Sequence, residues 1–183
     1  MSDPAALDAA LAVFAAELAR WGARMNLVGS TEPAEIARHI RDSLGAAAHL
    51  PAGARVVDLG SGAGFPGVPL GLARPDLRIT LVEVREKRVA FLRHVVRELA
   101  LEVEVSASSI ESPPPIGFDF ALIRAVAKPA RSLELALPWV AATGEIWIWS
   151  SAEVDLAGSV PVPLESGGKI MRLRRADFSR GTA

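Results

Sequence analysis

The stretch Val56-Val57-Asp58-Leu59-Gly60-Ser61-Gly62-Ala63-Gly64-Phe65-Pro66-Gly67 decides the fold. An apolar run from Ala54 ends in an acid, a glycine-rich turn follows, and a proline-started helix then carries Val68, Leu70 and Leu72. The pattern reads as strand, tight loop, helix. Glycines at alternate positions let the backbone take positive φ and let a ligand approach without meeting a Cβ. The helix N-terminus behind them offers unpaired N–H groups and a partial positive charge. Pro66 suits the first helical turn, where a missing N–H is no loss.

Two cofactors use such a loop. Gly62-x-Gly64-x-x-Gly67 fits the dinucleotide fingerprint by its letters. Gly60-x-Gly62-x-Gly64, with Asp58 closing the strand, fits the first motif of class I S-adenosylmethionine-dependent methyltransferases. Placement separates them. In a dinucleotide fold the first glycine comes directly off the strand and faces a pyrophosphate. Gly60 holds that position here, and Asp58 would set a carboxylate near those phosphates. An acid there fits a ligand with an ammonium and a sulfonium. Glu83 ends the next predicted strand, residues 77–83, where its carboxylate can accept both ribose hydroxyls. Either cofactor wants that acid.

Composition sets the outer bounds. The chain has 183 residues, half of them apolar and 22% charged, which suits one globular domain with a proper core. Asp3, Asp8 and Glu17 interrupt the N-terminal stretch, so no signal peptide is expected. No apolar run is long enough to cross a bilayer. The expectation is a soluble cytoplasmic protein with no membrane partner. There is no cysteine, which excludes disulfides, thiolate metal sites and cysteine nucleophiles. It also argues against methylation at pyrimidine C5, which needs a cysteine adduct. No metal is expected. The net charge is −1, so any nucleic-acid footprint has to be local.

Outward from the loop, hydrophobic spacing supplies the rest. Leu7, Leu11, Phe14 and Leu18 predict a helix over 5–19, with a break at 21–27. A second helix over 33–50 carries Ile36, Ile40 and Leu44 on one face, with Arg38, Arg41 and Asp42 elsewhere and His39 beside the stripe. By pattern alone those charges form a solvated face. A third, basic helix starts near Arg85 and buries Val89, Leu92, Val96 and Leu99, leaving Arg85, Lys87, Arg88, Arg93 and Arg97 outside. Val103 and Val105 mark a third strand, and Ile110-Glu111 precede a proline turn. Residues 118–123 form a fourth strand ending in Arg124-Ala125, and 146–149 a fifth. Residues 129–140 read as a helix disturbed by Pro138, and the tail reads as a terminal hairpin.

Strands alternating with helices predict an α/β fold, a doubly wound and mostly parallel Rossmann-like sheet. Residues 1–50 would form a helical extension packed on a methyltransferase domain over 51–183, in a single domain overall. Gly60, Glu83, Glu111 and Arg124 all fall at or just past predicted strand ends, which should bring them to one crevice at the switch point.

The pieces now form a longer pattern. Trp21 with Met25-Asn26-Leu27-Val28-Gly29-Ser30, Arg38-His39-Ile40-x-Asp42-Ser43-Leu44, the glycine loop through Pro69-Leu70, Lys87-Arg88-x-x-Phe91-Leu92 and Arg124-Ala125 stand in this order. With them the chain resembles, over nearly its whole length, the bacterial glucose-inhibited division protein B family. The resemblance implies methyl transfer from S-adenosylmethionine to N7 of a guanine in 16S ribosomal RNA, either free or within the small subunit. It implies cofactor contacts at Gly60, Phe65, Ile110, Glu111 and Arg124; the loop itself adds Asp58, Gly62 and Glu83. One departure stands out. The family commonly carries a lysine and a glycine at the end of strand five, where this chain has Trp149-Ser150-Ser151.

Guanine N7 exposes a lone pair, so no general base is needed, and methyl transfer requires proximity and in-line geometry. No Asn/Asp-Pro-Pro-aromatic motif follows strand four, as adenine amino-group methylation would use. No catalytic acid or base is expected, and Arg124 is the candidate for positioning. Arg38, His39 and Arg41 upstream, with Arg124, Lys128 and Arg131, are candidates for RNA contact by a monomeric enzyme. The rivals are a methyltransferase for another RNA or a small molecule, an NAD-binding oxidoreductase, and an inactive binding module that keeps the cofactor pocket.

Overall fold

The computed structural model describes residues 3–25, 27, 29–115 and 117–178. Asn26 and Val28 of the upstream motif lie outside the described residues. Val56, Val57, Asp58 and Leu59 lose all exposure because the first strand is sandwiched on both faces and both edges. The strands in chain order are β1 (Arg55–Leu59), β2 (Arg78–Val82), β3 (Glu104–Ser106), β4 (Phe118–Arg124), β5 (Val140–Ser150), β6 (Val160–Pro163) and β7 (Lys169–Arg174). They form one sheet in the order β3-β2-β1-β4-β5-β7-β6. The first five run parallel, β7 is antiparallel to β5, and β6 is antiparallel to β7. The chain leaves β1 toward β2 on one side and returns to β4 on the other. The switch point is therefore the C-terminal end of β1, where the glycine loop begins.

Five helices cover the sheet: α1 (Pro4–Met25), α2 (Pro33–Leu44), α3 (Gly67–Ala73), α4 (Glu86–Glu98) and α5 (Pro129–Ala136). Side chains alternate across each strand, so neighbours in sequence serve opposite cores. Val56, Leu81 and Trp147 meet Phe14 of α1, Ile36 of α2 and Phe91 of α4 on one face. Val57, Val82, Ile146 and Ile148 meet Leu133 of α5 and Trp139 on the other. Among the described residues no helix is long and apolar enough to cross a membrane.

Several elements differ from the pattern in the sequence. The break predicted at 21–27 does not interrupt α1, which continues to Met25. Trp21 holds it, with its ring 5.7 Å from Phe91 and 5.1 Å from His94, and this packing outweighs the weak helix propensity of Gly22. The second helix stops at Leu44, and a separate 3-10 turn covers Ala47–His49. Arg74 fixes that turn by donating to the carbonyls of Ala47 at 2.5 Å and Leu50 at 3.0 Å. Pro66 stands one residue before α3 instead of inside its first turn. Pro138 falls in a 3-10 turn after α5, so the predicted long helix ends at Ala136. Strand β5 starts earlier than its apolar core suggests, at Val140, with an irregular register between Phe118 and Phe120. The terminal hairpin forms, with its second strand inserted beside β5.

Candidate active site

Gly60, Gly62 and Gly64 take φ of +70°, +55° and +93°, so the loop turns tightly without side chains. A Cβ on Gly60 would sit 2.7 Å from Val126, which leaves no room for one. Five amides of this loop are already committed. Gly60 and Ser61 donate to the Val82 carbonyl at 2.9 and 3.0 Å, and Gly64 donates to Ser61 at 2.7 Å. Gly62 donates to Glu83 Oε2 at 3.1 Å, and Gly67 to Asp58 Oδ2 at 3.0 Å. A pyrophosphate needs such N–H groups free and positive neighbours. Here the amides of Gly60, Ser61, Gly62, Gly64 and Gly67 face protein acceptors, and the charges beside the loop are the buried Asp58 and Glu83 carboxylates and the Arg88 guanidinium that faces Glu83. Two buried carboxylates against one guanidinium already facing Glu83 make this loop a poor seat for a pyrophosphate.

Asp58 lies beneath the loop with no exposed surface, and its Oδ1 has no hydrogen-bond partner. Burial pushes its carboxyl up to about 7, against the lowering effect of the Gly67 amide. An unpaired buried acceptor of this kind is completed by a donor, and a cationic neighbour favours its ionised form. Glu83 is buried as well. Its Oε1 accepts the amides of Val84 and Arg85, both at 2.9 Å, and Oε2 also faces the Arg88 guanidinium at 3.6 Å. Ribose hydroxyls would share or replace these contacts. A ligand with an ammonium, a sulfonium and a ribose diol, and no phosphate, fits this donor-poor, carboxylate-rich cradle.

Across β4, a second group gathers around Arg124. Its Nη2 lies 2.6 Å from His39 Nδ1 and 3.2 Å from Asp42 Oδ2, and its Nη1 lies 3.3 Å from the His39 carbonyl. Guanidinium only donates, so Nδ1 accepts and the ring proton sits on Nε2. Burial lowers the His39 pKa, and the Arg124 and Arg38 charges add to that effect, so the ring is neutral near pH 7. Burial likewise lowers Arg124, opposed by Asp42. Arg38 Nη2 meets Glu35 at 2.6 Å, while its Nη1 is 3.8 Å from Asp42. Trp149 donates from Nε1 to the Asp42 carbonyl at 3.0 Å, which fastens α2 to the end of β5. These side chains, with Ala125 and Ser150, wall a cavity of about 470 Å³ at the C-terminal ends of β4 and β5. Ala125 takes φ +55°, a left-handed conformation that a non-glycine residue adopts only where surroundings enforce it.

The structure therefore joins Arg38, His39 and Arg124, and separately joins Asp58, Gly60, Gly62 and Glu83. Phe65 is buried, its ring 5.4 Å from Phe14 and 5.3 Å from His39, so it links the two groups through the core. Ile110 sits in the turn after β3, where its carbonyl accepts Trp139 Nε1 at 2.7 Å. Glu111 is exposed, with its carboxylate 3.7 Å from Arg131. Arg131 also pairs with Glu134 at 2.9 Å, and Lys128 is exposed just before α5. Arg41 points elsewhere, into the groove between α1 and α2. Asp42 and Arg88 stand in the motifs that carry the resemblance, and Trp149 beside its departure at strand five, but none was assigned a site role; the spacing of Asp42 one helical turn from Arg38 and His39 hinted at a shared face.

The family described as rRNA small subunit methyltransferase G matches residues 8–154. This chain belongs to that family. Among its relatives, Ribosomal RNA small subunit methyltransferase G of Desulfotalea psychrophila is 48% identical over 103 residues, covering 55% of this chain and 48% of the relative. The protein of that name from Paramagnetospirillum magneticum is 39% identical over 188 residues, covering 94% of this chain and 90% of the relative. The match thus spans about half of the first relative and nearly all of the second. In structure, the chain is similar to a SAM-dependent methyltransferase from Aquifex aeolicus, with TM-score 0.58 and 20% identity over 75% of this chain and 92% of that one. That likeness carries the fold alone, and the fold is the class I methyltransferase sheet that the glycine loop predicts.

Proposed function

We propose that this chain transfers the methyl group of S-adenosylmethionine to N7 of a guanine in 16S ribosomal RNA. Family membership supports an RNA methyltransferase. The observation that carries the cofactor reading is the loop whose amides are committed internally and whose neighbours, Asp58 and Glu83, are carboxylates. S-adenosylmethionine supplies a methyl on a sulfonium sulfur, which the N7 lone pair takes as the carbon–sulfur bond breaks. Asp58 would meet the ligand's positive charge from beneath the loop, and Glu83 its ribose. Gly60, Gly62 and Phe65 would shape the cradle, with Ile110 and Glu111 approaching from the turn after β3.

Arg124 acts as a positioning group. It is fixed by His39 and Asp42 and keeps N–H groups beyond those it gives them, so it can hold an anion without reorganising. Arg38 and His39 share its cavity, and Arg41, Lys128 and Arg131 would contact phosphates farther out. Hydroxyls of Ser150 and Ser151 stand where the family commonly has lysine and glycine, so Arg38 and Arg124 carry the basic role there. The residues assigned here to cofactor and RNA all come from one chain, and the enzyme is read as a monomer. Residues 1–50 are read as an extension belonging to the same folded unit as 51–183, and a ribosomal RNA target supports a cytoplasmic location.

The test is nucleoside analysis of small-subunit RNA from cells with and without this chain. One N7-methylguanosine per RNA should vanish in its absence and return on complementation. Equal N7-methylguanosine content in both would overturn the reading.

A further inference from the structure

Methylation at N7 places a constraint on how the base can be read. Arginine most often reads guanine through O6 and N7, but a donor on N7 would occupy the lone pair that must react. Recognition therefore has to use the opposite edge, where O6, N1–H and N2–H₂ stand in a row. Guanine alone among the four bases presents two adjacent donors on that edge. Adenine and cytosine offer one donor beside an acceptor, and uracil offers one donor between two acceptors. Two adjacent donors call for a group that only accepts, which is a carboxylate.

Asp42 is the one carboxylate among the residues lining the cavity beside Arg124. Its side chain is 5% exposed. Oδ2 faces Arg124 at 3.2 Å, and Oδ1 has no partner. A buried carboxylate oxygen without a donor is costly, and such atoms call for a reason. We propose that Asp42 reads the target guanine, its free oxygen accepting from the N1–H and N2–H₂ edge while a neighbouring arginine donates to O6. This rests on the guanine-N7 reading above.

Three features carry the assignment. The order of groups on the wall, arginine donor beside carboxylate acceptor, mirrors the order O6, N1–H, N2–H₂. The Trp149 bond to the Asp42 carbonyl holds the backbone of the residue at the cavity wall, with Oδ2 facing Arg124. A purine held by this edge turns N7 to its far side and leaves the lone pair free. Oδ1 is closed off from solvent in this structure, so the base reaches it only when the Asp42 carboxyl turns about its fixed backbone. As methylation brings positive charge onto the purine, the N1–H bond to a carboxylate strengthens, so Asp42 should favour the transition state as well as binding.

The experiment uses the full chain with S-adenosylmethionine and small-subunit RNA carrying either guanine or a single inosine at the methylated position. Inosine keeps N7, O6 and N1–H and lacks only the 2-amino group. The wild type should prefer guanine by at least about tenfold in kcat/KM, the scale of one lost base-edge contact. In Asp42→Asn that ratio should collapse toward one. A merely structural Asp42 would lower both substrates together and leave the ratio intact, which overturns the proposal. A wild-type ratio near one overturns it without any variant. Failure of the wild type to methylate the guanine RNA at all would instead overturn the methylation reading, and this inference with it.

Discussion

At Gly67 the backbone runs so close to β1 and β2 that a Cβ would stand 2.2 Å from Leu81 Cδ2 and 2.7 Å from Asp58 Oδ2. Gly67→Ala should therefore destabilise the chain by about 1–3 kcal/mol or more in urea unfolding, and it should weaken S-adenosylmethionine binding by displacing Asp58. Asp58 sets a pH dependence of its own. Its ordinary value is 3.8 and its folded value about 7, so between those limits the folded chain binds more protons than the unfolded one. Stability in the absence of cofactor should then fall as pH rises through that window and level off above it. Asp58→Asn, which keeps an oxygen for the Gly67 amide, should lack this component. The difference between the two proteins in urea unfolding at about pH 5 and about pH 8 measures it, and S-adenosylmethionine should raise the melting temperature more at the higher pH. The glycine loop was legible because its meaning is local, strand, acid, glycine and helix within a dozen residues, and Glu83 because it ends the next predicted strand. Asp42 was not. Its charge pattern on α2 reads as a solvated face, and its partner Arg124 arrives from β4, a contact that no local spacing encodes.

Among the elements, the join between the N-terminal helices and the sheet is the one the sequence conveyed least. Trp21 and Gly22 look like a helix end, yet α1 continues because Trp21 is packed on α4. The second helix looks longer than it is because Ala46, Ala47 and Leu50 keep an apolar rhythm past Gly45. What shapes that region is Arg74, whose guanidinium gathers the carbonyls of Ala47 and Leu50 and pairs with Asp76 at 2.7 Å. Asp76 in turn accepts the Gly53 amide at 3.2 Å. Arg74→Ala should cost about 1–3 kcal/mol, because it strands carbonyl groups that are part-buried. It should also loosen α2 over the cavity. Hydrogen exchange should show faster opening in α2 than in β1 if the clip acts on that join alone.

For the molecule as a whole, a net charge of −1 coexists with a cavity walled by Arg38 and Arg124. Overall charge thus gives no sign of the two arginines gathered at this cavity, which the proposed RNA contact would use. RNA affinity should fall with salt, and Arg38→Gln should reduce the slope of log K against log salt by about one if Arg38 neutralises one phosphate. The doubly wound, mostly parallel sheet, by contrast, was legible in the alternation of strands and helices, while the strand order and the inner position of β7 come from the structure. The most direct test of the account is transfer of labelled methyl from S-adenosylmethionine by the purified chain, using small-subunit particles from cells with and without it as acceptors. Label should enter only the particles from cells that lack the chain, at about one methyl each, and be recovered as N7-methylguanosine. Label recovered in another nucleoside, or no transfer to either acceptor, would contradict it.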